Sequence, residues 1–132
     1  MGLNVGSVQN LLELHGLGYF KNANSVCEIG SQEIHVKAKV LEELFAGAGL
    51  NSELVSKARP LSNYPERPRT PAKFLYETLG FKEYRSIDIN GDIGAIPHDL
   101  NNPFTDTSFY NKFDVVTDFG SCEHVFNIPE CY

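Results

Sequence analysis

Five short stretches carry the side chains able to do chemistry: Glu28-Ile29-Gly30-Ser31, Asp88-Ile89-Asn90, His98-Asp99-Leu100, Asp118-Phe119-Gly120 and Glu123-His124. A glycine such as Gly30, just after an apolar run, lets a ligand approach the backbone closely. A carboxylate such as Asp88, ending a second apolar run, is suited to hold ribose hydroxyls. Histidine ordinarily titrates near neutrality, which makes His124 the candidate general base. His98, beside Asp99, reads as structural, and His15 and His35 belong to no such cluster. His98, Asp99, Glu123 and His124 have the types of a hard or borderline metal site, but nothing in their spacing fixes a geometry, so no metal is assigned.

These stretches must be positioned by the elements between them. Ser7 is expected to cap a helix over 7–18, with Val8, Leu11, Leu12 and Leu14 on one face and Gly16 and Gly18 as stops. Asn24–Ile29 reads as a buried strand. A second helix follows, with Val36, Val40, Leu41, Leu44 and Phe45 on one face, ending at Gly47 and Gly49. Residues 51–70 carry Pro60, Pro65 and Pro68 and read as a surface insert. Tyr64, Glu66, Arg67 and Arg69 make that insert a candidate substrate or partner surface. Thr70-Pro71 is expected to open a third helix, with Phe74, Leu75 and Leu79 inward and Gly80 closing it. Strands are expected at Tyr84–Ile89, weakly at Gly94–Pro97, and at Phe113–Thr117. The tail is expected to start a helix near Ser121. This order predicts an α/β fold with a parallel sheet and helices on both faces. The chemical residues then fall at the carboxyl ends of the strands, where such sheets bind ligands.

The stretches CEIGSQ, SIDING, PHDLNNPF and FDVVTDFGSCEHVFN together resemble successive motifs of class I S-adenosylmethionine-dependent methyltransferases. The resemblance runs from about Ser25 to Asn127 within a single domain of 132 residues, whose core spans 24–127. It implies a Rossmann-like sheet, here truncated after about four strands, and S-adenosylmethionine as cofactor. Glu28, Gly30 and Ser31 match the loop behind the methionine part. Asp88 matches the ribose-binding acid, and Ile89 the neighbour packed on adenine. Asp99 and Leu100 match the pair that meets the adenine edge. Asp118, Phe119 and Gly120 match the loop beside the transferred methyl. The first motif departs from the family's Gly-x-Gly-x-Gly, with Ser31-Gln32-Glu33 after Gly30. The implied function is methyl transfer to an unidentified small-molecule acceptor; the alternative is a catalytically incomplete cofactor-binding or interaction module.

Rival patterns fail by letters. No G-x-x-x-x-G-K-[ST] exists, and Asp118-Phe119-Gly120 lacks the other kinase motifs. A nicotinamide-binding domain is disfavoured by the incomplete G-x-G-x-x-G. The net charge of −6 argues against nucleic acid and anionic membrane as partners. Three cysteines without Cys-x-x-Cys spacing read as reduced thiols. The absence of a signal or membrane span predicts a soluble, cytoplasmic protein. A sheet ending after its fourth strand would leave an apolar edge, which predicts a homodimer.

Overall fold

The computed structural model describes residues 2–53 and 70–132. A short strand β1 (Gly2–Leu3) leads into helix α1 (Val5–Gly16). Then come β2 (Ser25–Ile29), β3 (Glu33–Ile34) and helix α2 (Ala38–Gly47). After the insert follow β4 (Thr70–Pro71), helix α3 (Lys73–Thr78), β5 (Glu83–Asp88), β6 (Ile96–Pro97) and β7 (Val115–Asp118). A four-residue helix, α4 (Ile128–Cys131), comes last.

Four strands form an all-parallel sheet in the order β6-β5-β2-β7. The apolar run of β2 is buried along its whole length, which explains why it lies inside the sheet. Its register sets Ile29 opposite Ile87 on one side and Asp118 on the other. The chain steps outward from β2 to β5 to β6, then returns to the far side of β2 as β7. The direction of winding therefore reverses between β2 and β7, where parallel sheets open a crevice at their carboxyl ends. The small strands β1, β3 and β4 form a separate three-stranded sheet.

Among the described residues the two faces are covered unequally: three helices pack on one, and only the short α4 borders the other, through Pro129, Glu130 and Cys131. Residues of α1, α2 and α3 share one hydrophobic cluster with Val26 of β2, and Tyr84 and Val115 border it. Cys27, Ile29, Ile87 and Val116 point to the opposite face. They line a groove of about 440 Å³ walled by Phe104, Phe109 and Phe113. The segment between β6 and β7 crosses that face with only one 3-10 turn, Thr107–Phe109. Its composition explains this. Asp99 and Asp106 accept local N–H groups from Asn101 and Ser108, a bonding pattern that competes with helix.

Other boundaries also move. Asn4, not Ser7, caps α1: its Oδ1 accepts the Ser7 N–H at 2.9 Å. Thr70-Pro71 does not open a helix but pairs as β4 antiparallel to β3. That pairing consumes Glu33 and Ile34, so α2 begins only at Ala38 and Val36 is buried ahead of it. The tail beyond Ser121 forms a 3-10 turn, Cys122–His124, and not a longer helix. Tyr64, Glu66, Arg67 and Arg69 of the insert lie outside the described residues. Among the described residues, no helix is long and apolar enough to cross a membrane. If Asn4 is the cap, Asn4→Ala lowers stability in urea denaturation by about 1 kcal/mol, whereas Ser7→Ala changes it by a few tenths.

Candidate functional site

A cleft of about 220 Å³ opens at the carboxyl ends of β2, β5 and β6. Gly30, Asp88, Ile89, Asp99, Leu100 and His124, nominated from separate stretches of sequence, all line it. His98, Asn101, Ser121 and Val125 complete the wall. His98 and Leu100 also line the larger groove on the open sheet face, so the two spaces adjoin.

Each loop is held by a carboxylate. Asp88 Oδ2 accepts the Ser31 N–H at 2.8 Å, tying the turn after β2 to the end of β5. Asp99 accepts from the Asn101 N–H at 3.0 Å, and from the Asn101 and Asn102 side chains. The Asn101 backbone bond, then its side-chain bond, holds the Asp99 carboxyl below the usual carboxylate range. Asp118 Oδ1 accepts the Ser121 N–H at 2.7 Å and shapes the turn after β7. Asn101 Oδ1 takes the N–H groups of Phe126 and Asn127, at 3.0 and 3.1 Å, joining two distant loops. Ile89 is 70% exposed, an apolar side chain held at the mouth of the cleft. His124 pairs with Glu123 Oε1 at 3.4 Å. Phe119 does not face the cleft; it packs against the hydrophobic cluster.

Gly30 has φ +81°, and a Cβ there would lie 1.9 Å from Ser121 Oγ. Its missing side chain therefore makes room for the chain's own Ser121. Gln32 Nε2 donates to that same oxygen at 3.2 Å, closing the contact.

Glu28 does not line the cleft. It is wholly buried, on the helix-covered face of β2. Oε2 accepts from Tyr84 at 2.6 Å and from the Gln32 N–H at 3.2 Å. Oε1 accepts from Tyr76 at 3.3 Å, and Tyr76 is bonded in turn to Thr117 Oγ1 at 2.9 Å. Burial pushes the carboxyl up to about 7, and the Tyr84, Gln32 and Tyr76 bonds offset only part of that rise. The same burial pushes both tyrosines and the Cys27 thiol up, Cys27 to about 11.

Sequence reasoning missed Ser121, Gln32, Asn101, Tyr76 and Tyr84. Ser121 and Asn101 lie close after acidic residues, the local pattern of a side-chain-capped turn, and that signal was available. Nothing local signals that Gln32, Tyr76 and Tyr84 converge on one carboxylate. Cys27, Cys122 and Cys131 are all unpaired thiols. Among the described residues, no group of three His, Cys, Asp or Glu side chains is placed to hold a metal ion. Comparison with known proteins finds no matching family model, curated protein or solved structure.

Two outcomes follow from these contacts. Gly30→Ala loses about 1–3 kcal/mol through its left-handed backbone alone. Adding Ser121→Gly relieves the clash but not that backbone strain, so the double variant recovers only partly in urea denaturation. The folded protein holds the Glu28 proton more tightly than the unfolded chain. The stability this confers is full below the usual value of 4.5 and is lost as pH rises through about 7. Glu28→Gln presents the bonding pattern of the protonated acid, so its stability relative to wild type rises across that window by up to roughly 3 kcal/mol. Parallel denaturation series at acidic and alkaline pH measure the difference.

Proposed function

We propose that the cleft binds S-adenosylmethionine and that the domain, Rossmann-like in its winding, serves methyl transfer to a small-molecule acceptor. One observation carries this reading. The cleft is lined by two carboxylates, Asp88 and Asp99, and by Ile89 and Leu100, with no lysine or arginine among the described residues of its wall. Such a lining suits a ligand with hydroxyls, a flat ring and a positive charge. The described residues of that wall present no lysine or arginine to the phosphates of a nucleotide or dinucleotide. The strand order, with the crevice at the reversal between β2 and β7, supports the same reading.

The roles follow from placement. Asp88, braced by the Ser31 N–H, has acceptor capacity left for ribose hydroxyls. Asp99 is pre-oriented by the two asparagines and accepts from an exocyclic amine. Ile89 and Leu100 offer apolar surface to a ring. The cofactor supplies an electrophilic methyl group, so the protein's share is alignment of the acceptor. His124, in the cleft wall, takes the acceptor's proton where one must leave. At about 220 Å³ the cleft is smaller than the ~300 Å³ of typical ligand pockets. The adjoining groove of about 440 Å³, reached past His98 and Leu100, provides the further space for an acceptor.

Titration calorimetry with S-adenosylmethionine and S-adenosylhomocysteine tests the cofactor. Saturable binding is expected, with none for NAD or ATP, and Asp88→Ala weakens it by about 1–3 kcal/mol. Failure of both ligands to bind the folded protein overturns the reading. Binding without transfer to any acceptor would leave the domain a cofactor-binding module.

A further inference from the structure

Glu28 is a carboxylate that the fold itself has little reason to keep ionised. It is 0% exposed, its hydrogen bonds come from neutral donors, and no cation is among the groups that shift its ionisation. A glutamine would accept from Tyr84 and Gln32 through its oxygen and donate to Tyr76 through its amide nitrogen, with Tyr76 turning its own O–H to Thr117. Its hydrogen bonds serve the fold in either protonation state, whereas buried groups whose ionisation is perturbed cluster where function uses their charge.

Its location suggests what that field acts on. Glu28 itself is outside the cleft but lies two residues before Gly30, which is part of the cleft wall. Its Oε2 holds the Gln32 N–H, and the Gln32 side chain holds Ser121, also in that wall. Gln32 is only 2% exposed, and its Oε1 has no hydrogen-bond partner among the described residues. The path from carboxylate to cleft therefore contains an unsatisfied acceptor and no positive charge.

We propose that Glu28 is a specificity-determining residue that favours a cationic ligand in the cleft over its neutral counterpart, releasing its proton to solvent when the cation binds. This rests on the S-adenosylmethionine reading above. With Glu28 protonated, Oε1–H donates to the Tyr76 oxygen, and Tyr76 donates to Thr117. When the proton leaves, Tyr76 turns its O–H to Oε1 and Thr117 donates to Tyr76. The Tyr76–Thr117 bond permits either direction. Oε2 keeps both of its donors throughout. Two hydroxyl rotations absorb the change, so what reaches the cleft is the new negative charge.

The titratable groups facing Glu28 are Tyr76 from α3 and Tyr84 from β5; Cys27, its neighbour on the same strand, points to the other face but feels its charge, and β7 contributes the non-titrating Thr117. All three titrate above their usual values and remain neutral through the pH range in which Glu28 ionises. His98 and His124 line the cleft itself.

S-adenosylmethionine and S-adenosylhomocysteine share their amino and carboxylate groups and differ by a methyl and the positive charge on sulfur. Calorimetry of both, in buffers of different ionisation enthalpy near the Glu28 midpoint of about 7, counts the protons released. The expected result is greater release by S-adenosylmethionine, and the excess disappears in Glu28→Gln. Below the midpoint, affinity for S-adenosylmethionine rises by up to about tenfold per pH unit relative to S-adenosylhomocysteine. Equal release by the two ligands in the wild type overturns the inference and leaves the cofactor reading standing. An excess that persists in Glu28→Gln also overturns it, assigning the proton to a group other than Glu28. If neither ligand binds, the cofactor reading fails and this inference fails with it.

Discussion

The molecule is organised around one buried carboxylate satisfied by neutral donors. Glu28 sits in the interior strand, and its partners come from α3, β5 and the turn that follows β2. Through Tyr76 it also reaches β7. A buried polar group left unpaired costs about 1–3 kcal/mol, so these partners are held to a narrow geometry. The stack of Tyr76 on Tyr84, with centroids 5.5 Å apart, fixes the two hydroxyls side by side. Apolar packing brings α3 to the sheet, and the carboxylate sets how it lies there.

Outside that hub, acids and amides do the work that longer helices would otherwise do. Asp88 bridges two strand ends, Asp99 and Asp118 shape single turns, and Asp114 clamps the N–H groups of Asn24 and Ser25 at 2.8 and 3.0 Å. The Asn24 and Ser25 bonds hold Asp114 below the usual carboxylate range. Each carboxylate thereby orders backbone and keeps lone pairs in reserve. A cleft built from such turns is negative and hydrogen-bonding by construction, without any single residue dedicated to charge.

Much of this was legible in the sequence. The apolar run before Glu28, the run ending at Asp88 and the one before Asp118 identified three parallel strands and placed their ends. Apolar runs bounded by polar residues survive tertiary context well, because burial of a whole strand leaves few alternatives. The cleft residues were legible for the same reason, since strand ends are where the chain emerges. What was not legible depended on long-range pairing. Thr70-Pro71 has the local form of a helix start, and pairing with Glu33–Ile34 overrides it. Glu28 looked like a ligand residue because it stands two residues before Gly30 in a stretch that resembles a cofactor-binding motif. Alternation along β2 turns its side chain to the face opposite Cys27 and Ile29, and only the assembled tyrosines show what it meets there. The helices expected on the second face were inferred from fold class; among the described residues only the four-residue α4 borders it, and the Asn- and Asp-rich crossing segment stays irregular because its side chains bond their own backbone.

The two borders of the main sheet differ in kind. On one side β6 is two residues long and includes Pro97, which has no N–H to offer a neighbouring strand. On the other, β7 runs for four residues without proline, and Val116 stands 62% exposed on the open face. The sheet therefore has a direction of growth. A strand arriving beside β6 meets a missing donor, whereas one arriving beside β7 meets a continuous ladder and an apolar floor to rest on. Lengthening of the sheet, by whatever polypeptide, is favoured on the β7 side.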